Sequence, residues 1–185
     1  LVAMCYEAGI QVTSLPGAVA CITALTLSGL PTRRFAFEAF LPSDKKERAV
    51  VLEELKQETR TIILYEAPHR LVKTLEELLE NLGDRKISLC RELTKKHETV
   101  FRGSLLEAFS WYKENPPKGE CVMVLAGRSR EEIEQEARQK WEDMPLEEHM
   151  EYYMSQGIDK KEAMKLVAKD RGISKRDVYQ ALLKN

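Results

Sequence analysis

Thr61-Ile62-Ile63-Leu64-Tyr65-Glu66-Ala67-Pro68-His69-Arg70 is the stretch whose reading decides the fold. Its first four residues are apolar or β-branched, the composition of a buried strand. Polar residues follow at once, and Pro68 stands where a helix tolerates it best, at its first turn. Leu71, Leu75, Leu78, Leu79 and Leu82 then share one helical face, and Gly83 closes the helix. A strand that runs straight into an amphipathic helix is the unit of an α/β layer. Polar residues at the end of a core strand are also where such layers place chemistry. The bland reading is open too: Pro68 and His69 start a helix and the Arg70 stem lies along the surface.

A second stretch of the same kind, Arg91-Glu92-Leu93-Thr94-Lys95, follows a strand predicted over residues 86–90. Working outward, residues 35–40 alternate as a half-buried strand does, and Asp44 caps a helix that runs to Glu58. Residues 98–102 and 120–126 read as further strands, with a helix over 104–114 between them. Five strands interleaved with helices argue a mixed α/β sheet. Before this unit, residues 1–31 read as helix, strand (10–15), a Pro16-Gly17 break, and a small-residue helix over 18–28. A lone strand makes no sheet, so this part is expected to be the remnant of a domain whose other strands lie upstream. The helix-like start at Leu1, with no capping residue and no Met, carries the same expectation of a fragment. The expected division is therefore 1–31, 32–128 and 129–185.

After Gly127 the composition shifts. Residues 130–151 are acidic and helical. Residues 159–185 hold eight Lys or Arg against four Asp or Glu. Two short helices are predicted there, opened by Asp159 with Glu162 and by Ser174 with Asp177. Ala168, Gly172 and Val178 have the spacing of a helix-turn-helix. An ordinary helical hairpin with a solvated charged face fits the same residues.

The chain of 185 residues is 43% hydrophobic and 32% charged with a net charge of −1, which describes a globular protein and excludes a polycation that coats nucleic acid. No apolar run approaches the length that spans a bilayer, and the first residues have no secretory-signal pattern. Cys5, Cys21, Cys90 and Cys121 sit far apart among apolar neighbours, as buried reduced thiols of a cytoplasmic protein do. His69, His97 and His149 lack metal-ligand spacing, so no metal is expected.

Taken in order, Ala8-Gly9-Ile10, Leu15-Pro16-Gly17-Ala18, Ile22-Thr23-Ala24-Leu25, Gly29-Leu30-Pro31, Phe40-Leu41-Pro42, the 65–70 and 91–95 stretches and Lys118-Gly119-Glu120 resemble the tetrapyrrole methylase superfamily, in its ribosomal RNA branch. The resemblance covers residues 1–127, and the helical tail is similar to the appendage of that branch. It implies a two-domain α/β protein with S-adenosylmethionine in the cleft between domains. Most of the amino-terminal domain, including its glycine-rich first turn, has no counterpart here, so half the cleft is expected to lie outside this chain and the chain alone is expected to be inactive.

The resemblance implies cofactor contacts at Val19 and Ala20, at Glu66, and along the backbone near Leu93 and Thr94. It implies methyl transfer to the ribose 2′-hydroxyl of a cytidine in small-subunit rRNA, and a homodimer. A ribose hydroxyl is a weak nucleophile, so a base or a polarising cation helps. Glu66, Glu92 and Glu120 are candidate bases and Lys95 a candidate oxyanion stabiliser; each serves equally well as a structural ion-pair member, Glu92 with Arg91 or Arg70 for example. RNA phosphates need basic residues, and Lys95, Lys96 and Arg102 (with His97), Arg70 (with Arg33 and Arg34), and Lys175 and Arg176 in the tail are the candidates. Two other readings stand beside this one: a tetrapyrrole or corrin methylase of the same fold, and a non-enzymatic helix-turn-helix protein that binds nucleic acid.

Overall fold

A computed structural model describes residues 1–183. The chain divides into two compact units after Gly127. Lys184, counted above in the basic tail, lies outside the described residues.

The first unit is built on a five-stranded mixed sheet of order β1-β2-β5-β3-β4. Its strands are β1 (Phe35–Phe40), β2 (Thr61–Glu66), β3 (Lys86–Arg91), β4 (Thr99–Ser104) and β5 (Cys121–Leu125). β1 runs parallel to β2, and the remaining neighbours are antiparallel. β2 and β5 occupy the interior of the sheet, which is why both read as nearly continuous apolar runs. β1 forms one edge and carries a bulge between Phe37 and Ala39, with Ala39 at φ 53°. Such an irregularity breaks the template that an edge strand would otherwise offer to another chain.

Helices cover both faces. On one face lie α3 (Lys45–Gln57), α4 (Pro68–Leu82) and α5 (Leu105–Glu114). Their leucines close over Ile62, Leu64, Ile87, Leu89, Met123 and Leu125 to form the main core. α3 opens on Asp44, whose carboxylate accepts from the amides of Lys46 and Glu47, and α5 opens on a capping box of Ser104 and Glu107. On the other face α2 (Ala20–Ser28) lays Cys21, Ala24 and Leu25 over Ile63, Cys90, Val122 and Val124. Its small side chains let the helix sit close to the sheet.

Residues 1–31 do not all behave as read from sequence. α1 (Val2–Glu7) forms, but the strand predicted over 10–15 does not: those residues are exposed and take no regular structure. A strand needs a partner ladder, and no strand among the described residues lies beside it. The helix predicted from residue 18 begins at Ala20. α2 nonetheless packs on the same sheet as the strands that follow it, so residues 1–127 make one compact unit. Cys21, Cys90 and Cys121 are buried thiols as expected, whereas Cys5 is only partly covered.

The second unit contains α6 (Arg130–Glu142), α7 (Leu146–Met154), α8 (Lys160–Arg171) and α9 (Lys175–Leu183). Pro145 separates α6 from α7 within what reads as one acidic segment. Asp159 caps α8, Ser174 and Asp177 form the box that opens α9, and Gly172 turns between them at φ 64°. Ala163, Val167, Ala168, Met150 and Val178 fill the small core.

His149 is fully buried in this unit, stacked at 3.9 Å on Trp141. Its Nδ1 accepts from Arg171 Nε (3.1 Å), and its Nε2 stands 3.4 Å from Asp170 Oδ2. Burial, and then the Arg171 charge, hold this imidazole below its ordinary pKa despite Asp170. Below about pH 6.5 the unfolded chain then binds a proton that the folded one refuses, so folding is favoured above that pH and weakened as pH falls. Thermal unfolding of the second unit, followed by circular dichroism, is expected at lower temperature near pH 5.5 than near pH 7.5. His149→Gln is expected to flatten that dependence.

Candidate functional site

The cross-strand register gathers the polar stretches at one end of the sheet. Glu66 pairs with Cys121, Cys121 with Arg91, and Arg91 with Thr99, so the ends of β2 and β3 and the starts of β4 and β5 form one row. Successive side chains in a strand point to opposite faces. The row therefore splits the candidates: Tyr65, Cys90 and Val100 face α2, while Glu66, Cys121, Arg91 and Thr99 face the side of α4 and α5.

On the α2 face, the Tyr65 hydroxyl accepts the amide N–H of Cys21 at 3.1 Å. It thereby meets one of the unpaired amides at the start of α2, a helix whose N-cap residue, Val19, supplies no side-chain bond. Phe37 and Phe40 meet the Tyr65 ring edge-on at 5.0 and 5.7 Å. Burial, and then the neighbouring Cys21 thiol, push the phenol pKa upward against the opposing pull of the Cys21 amide, so it stays a neutral hydroxyl. Sequence reading did not single out Tyr65; its place one residue before Glu66, and so on the other face, was the available signal. Leu93 packs against the same apolar cluster as Tyr65 and Val100. Val19 and Ala20 stand exposed at the helix start. The structure thus brings Val19, Ala20 and Leu93 to one face.

Thr94 lies in the turn that follows, and this turn is strained. Glu92 has φ 52° and Thr94 φ 64°, left-handed conformations that an L-residue, and a β-branched one above all, avoids. A dense set of bonds holds them. The Glu92 amide donates to the Glu120 carbonyl, and the Glu120 amide donates back to Glu92 Oε1 at 2.9 Å. The Thr94 amide donates to Glu98 Oε2 at 2.6 Å. Lys95 Nζ bridges Glu92 and Glu120 at 3.2 Å each. The Glu120 amide, followed by Lys95, draws the Glu92 carboxyl below its usual range, and the two carboxylates raise Lys95. Gly119 lies against Glu92, at φ 83°; a Cβ there would sit 2.0 Å from Glu92 Oε1 and 2.7 Å from its Cγ. The stretches 91–95 and 118–120 are therefore two halves of one clasp. The partner of Glu92 is Lys95, rather than Arg91 or Arg70.

Glu66 lies apart from Val19, Ala20 and Leu93. Its side chain is fully buried on the α4 face, where it accepts from the Ala67 amide (2.8 Å), Thr74 Oγ1 (2.6 Å) and Arg70 (2.9 Å). Thr74 in turn accepts from Arg48, which also pairs with Glu77. This carboxylate ties the start of α4 to β2 and to α3; it is neither accessible to a ribose nor on the face of Leu93. The basic candidates also divide. Arg70 is engaged by Glu66, Ser43 and the Leu41 carbonyl, and Arg102 donates twice to the Leu27 carbonyl, so both fasten segments of the fold. Lys96 is exposed beside the clasp, and Arg176 is exposed and Lys175 half-exposed at the start of α9. Among the described residues no group of His, Cys, Asp and Glu is arranged to hold a metal ion, and no helix is long and apolar enough to cross a membrane.

A mixed five-stranded sheet with helices on both faces and a polar clasp at one end of its strands defines an α/β protein with its candidate site at the strand ends. The solved structure of a cobalamin biosynthetic enzyme, cobalt precorrin-4 methyltransferase, shares this fold, with a TM-score of 0.50 at 15% identity over 68% of this chain and 56% of that one. The family model of the Tetrapyrrole (Corrin/Porphyrin) Methylases matches residues 1–108, and the chain belongs to that family. Among curated relatives, the ribosomal RNA small subunit methyltransferase I of Halalkalibacterium halodurans is 47% identical over 97% of this chain and 61% of its own length. The protein of the same name from Bacillus subtilis is 46% identical over 95% of this chain and 60% of its own. The chain thus spans about three fifths of the length of these relatives.

Proposed function

We propose that the protein is an S-adenosylmethionine-dependent methyltransferase that acts on the ribose 2′-hydroxyl of a cytidine in small-subunit rRNA. The observation that carries this reading is the identity of nearly half its residues, across almost the whole chain and tail, to relatives named for small-subunit rRNA methylation. The likeness to the precorrin enzyme extends to the fold alone, and the acidic-then-basic helical tail has its match in the rRNA relatives, which favours RNA over a tetrapyrrole acceptor.

The residues fit the methyl donor in kind. α2 begins with small side chains and no side-chain cap, so backbone amides near Val19 and Ala20 are available to a carboxylate or a polar edge. Leu93 presents an apolar surface on the same face, and the Thr94 backbone is fixed by strain and by Glu98. When bound, S-adenosylmethionine supplies an electrophilic methyl group on a sulfonium.

The chain's own work is positioning, which in favourable cases is worth about 7–11 kcal/mol. The clasp fixes Leu93 and Thr94, and Tyr65 fixes the start of α2 against the sheet. Of the carboxylates, Glu120 is the most open to a ribose proton, at 87% side-chain exposure, with Lys95 beside it to steady developing negative charge. Lys96 and Arg176, with the half-exposed Lys175, are open to meet phosphates, as are the exposed Arg33 and Arg34. A homodimer in the cytoplasm belongs to the same reading.

The test is transfer of labelled methyl groups from S-adenosylmethionine to small ribosomal subunits by the full-length protein, with the product read by mass spectrometry of nucleosides. Ribose-methylated cytidine is expected. Methylation of a base, or turnover of a tetrapyrrole with none of RNA, contradicts the proposal.

A further inference from the structure

We propose that the groove between β4 and the carboxyl end of α5 binds an unpaired RNA nucleotide, its base stacked on Trp111 and its phosphate toward Arg91. The inference rests on the RNA reading above and adds a subsite to it. The groove measures about 520 Å³ and is lined by Arg91, Thr99, Phe101, Trp111, Tyr112 and Asn115 among others. Trp111 is 55% exposed, so more than half of a large ring surface is not used by the core. A lone exposed aromatic needs no explanation. Here, though, the indole shares a concavity with a guanidinium, a hydroxyl and an amide, and no acidic residue is among those that line it. That is the side-chain set from which proteins build sites for splayed-out bases: a flat ring to stack on, amide and hydroxyl groups for the base edge, and a cation for the backbone.

The groove is also pre-formed. Phe101 meets Tyr112 edge-on at 6.0 Å, which makes a stiff aromatic floor. Arg91 Nε donates to Thr99 Oγ1 at 3.2 Å and so fixes the guanidinium at the rim. Asn115 Nδ2 donates to the Trp111 carbonyl at 3.0 Å, which leaves its carbonyl oxygen as the acceptor for an exocyclic amine such as that of cytosine. On the other side of the indole a second groove includes Arg102 but also Glu107 and Glu114. Those carboxylates disfavour a phosphate there and set the polarity, with the backbone on the Arg91 side. Arg91 immediately precedes the strained clasp in the chain but faces away from Val19, Ala20 and Leu93, so a nucleotide held here is a flanking contact and not the methyl acceptor.

The test measures binding of a short unpaired RNA oligonucleotide, and of the same oligonucleotide with one abasic position, by fluorescence anisotropy. Trp111→Ala is expected to weaken the intact oligonucleotide about tenfold, and Trp111→Phe, which keeps a stacking face, by no more than about threefold. The abasic strand is expected to bind the unsubstituted chain about as weakly as the intact strand binds Trp111→Ala. Equal affinity of Trp111→Ala and the unsubstituted chain for intact RNA overturns the groove while leaving RNA binding in place. No RNA binding by the unsubstituted chain overturns the RNA reading and the groove with it. Loss of self-association in Trp111→Ala, seen by sedimentation with RNA affinity unchanged, assigns the groove to a protein interface and also overturns the proposal.

Discussion

Glu66→Ala is expected to lower the thermal midpoint of the first unit by about 6–12 °C, corresponding to about 3 kcal/mol. The carboxylate is completely enclosed and serves three donors on one side of the sheet, the Ala67 amide, Thr74 and Arg70. Its removal strands those donors and loosens the chain Glu66–Thr74–Arg48–Glu77 that joins β2 to α4 and α3. The figure sits at the low end for a broken buried pair because the Arg70 side chain is 31% exposed and water replaces part of what it loses. Glu66→Gln tells structure from catalysis. It keeps the shape and a hydrogen-bonding oxygen but cannot accept a proton usefully. A structural Glu66 leaves methyl transfer per folded molecule within a few-fold, whereas loss of a general base costs about 10²–10⁴-fold. A loss on that scale with the fold intact would restore Glu66 to the reaction.

Gly119→Ala is the second large effect. An alanine at φ 83° costs about 1–2 kcal/mol from the backbone alone. Its Cβ would also occupy the space of the Glu92 carboxyl and Cγ, so the whole side chain must leave, and with it the bonds to the Glu120 amide and to Lys95. The left-handed Glu92 and Thr94 then lose what holds them. A fall of about 4–8 °C in the thermal midpoint is expected, together with at least a tenfold loss of methyl transfer because the Leu93–Thr94 wall relaxes. Thr94→Gly is the counterpart: it relieves strain, so it is expected to leave stability unchanged or slightly raised while still slowing transfer. If Gly119→Ala leaves both quantities unchanged, the clasp does not organise the site.

Much of this was legible in the residues because local and global signals agreed. The leucine face of α4, the caps at Asp44, Asp159 and Ser174, and the apolar runs of β2 and β5 each admit one reading, and the sheet followed from them. That 65–70 and 91–95 end strands and 118–120 begins one was also readable, but their gathering at one end of the sheet followed only from the antiparallel placement of β5. What was not legible depended on partners. Residues 10–15 have the composition of a strand but no ladder to join. The face of Glu66 was hidden by parity: one residue along a strand reverses the face, and nothing local said whether Tyr65 or Glu66 looks toward α2. Arg70 and Arg102 read as surface cations, yet their donors are spent on carbonyls 29 and 75 residues away in sequence. The strain at Glu92 and Thr94 left no trace in composition, because neither residue type signals a left-handed turn as glycine does.

The account depends most on the claim that the start of α2 and the clasp form one wall against the methyl donor. A crystal structure of the protein with S-adenosylhomocysteine tests it directly. The account predicts the ligand against the backbone of Val19 and Ala20 and against Leu93 and Thr94, with the Glu66 carboxylate still bonded to Thr74 and Arg70. A ligand seated on the opposite face, in contact with Glu66, would contradict it.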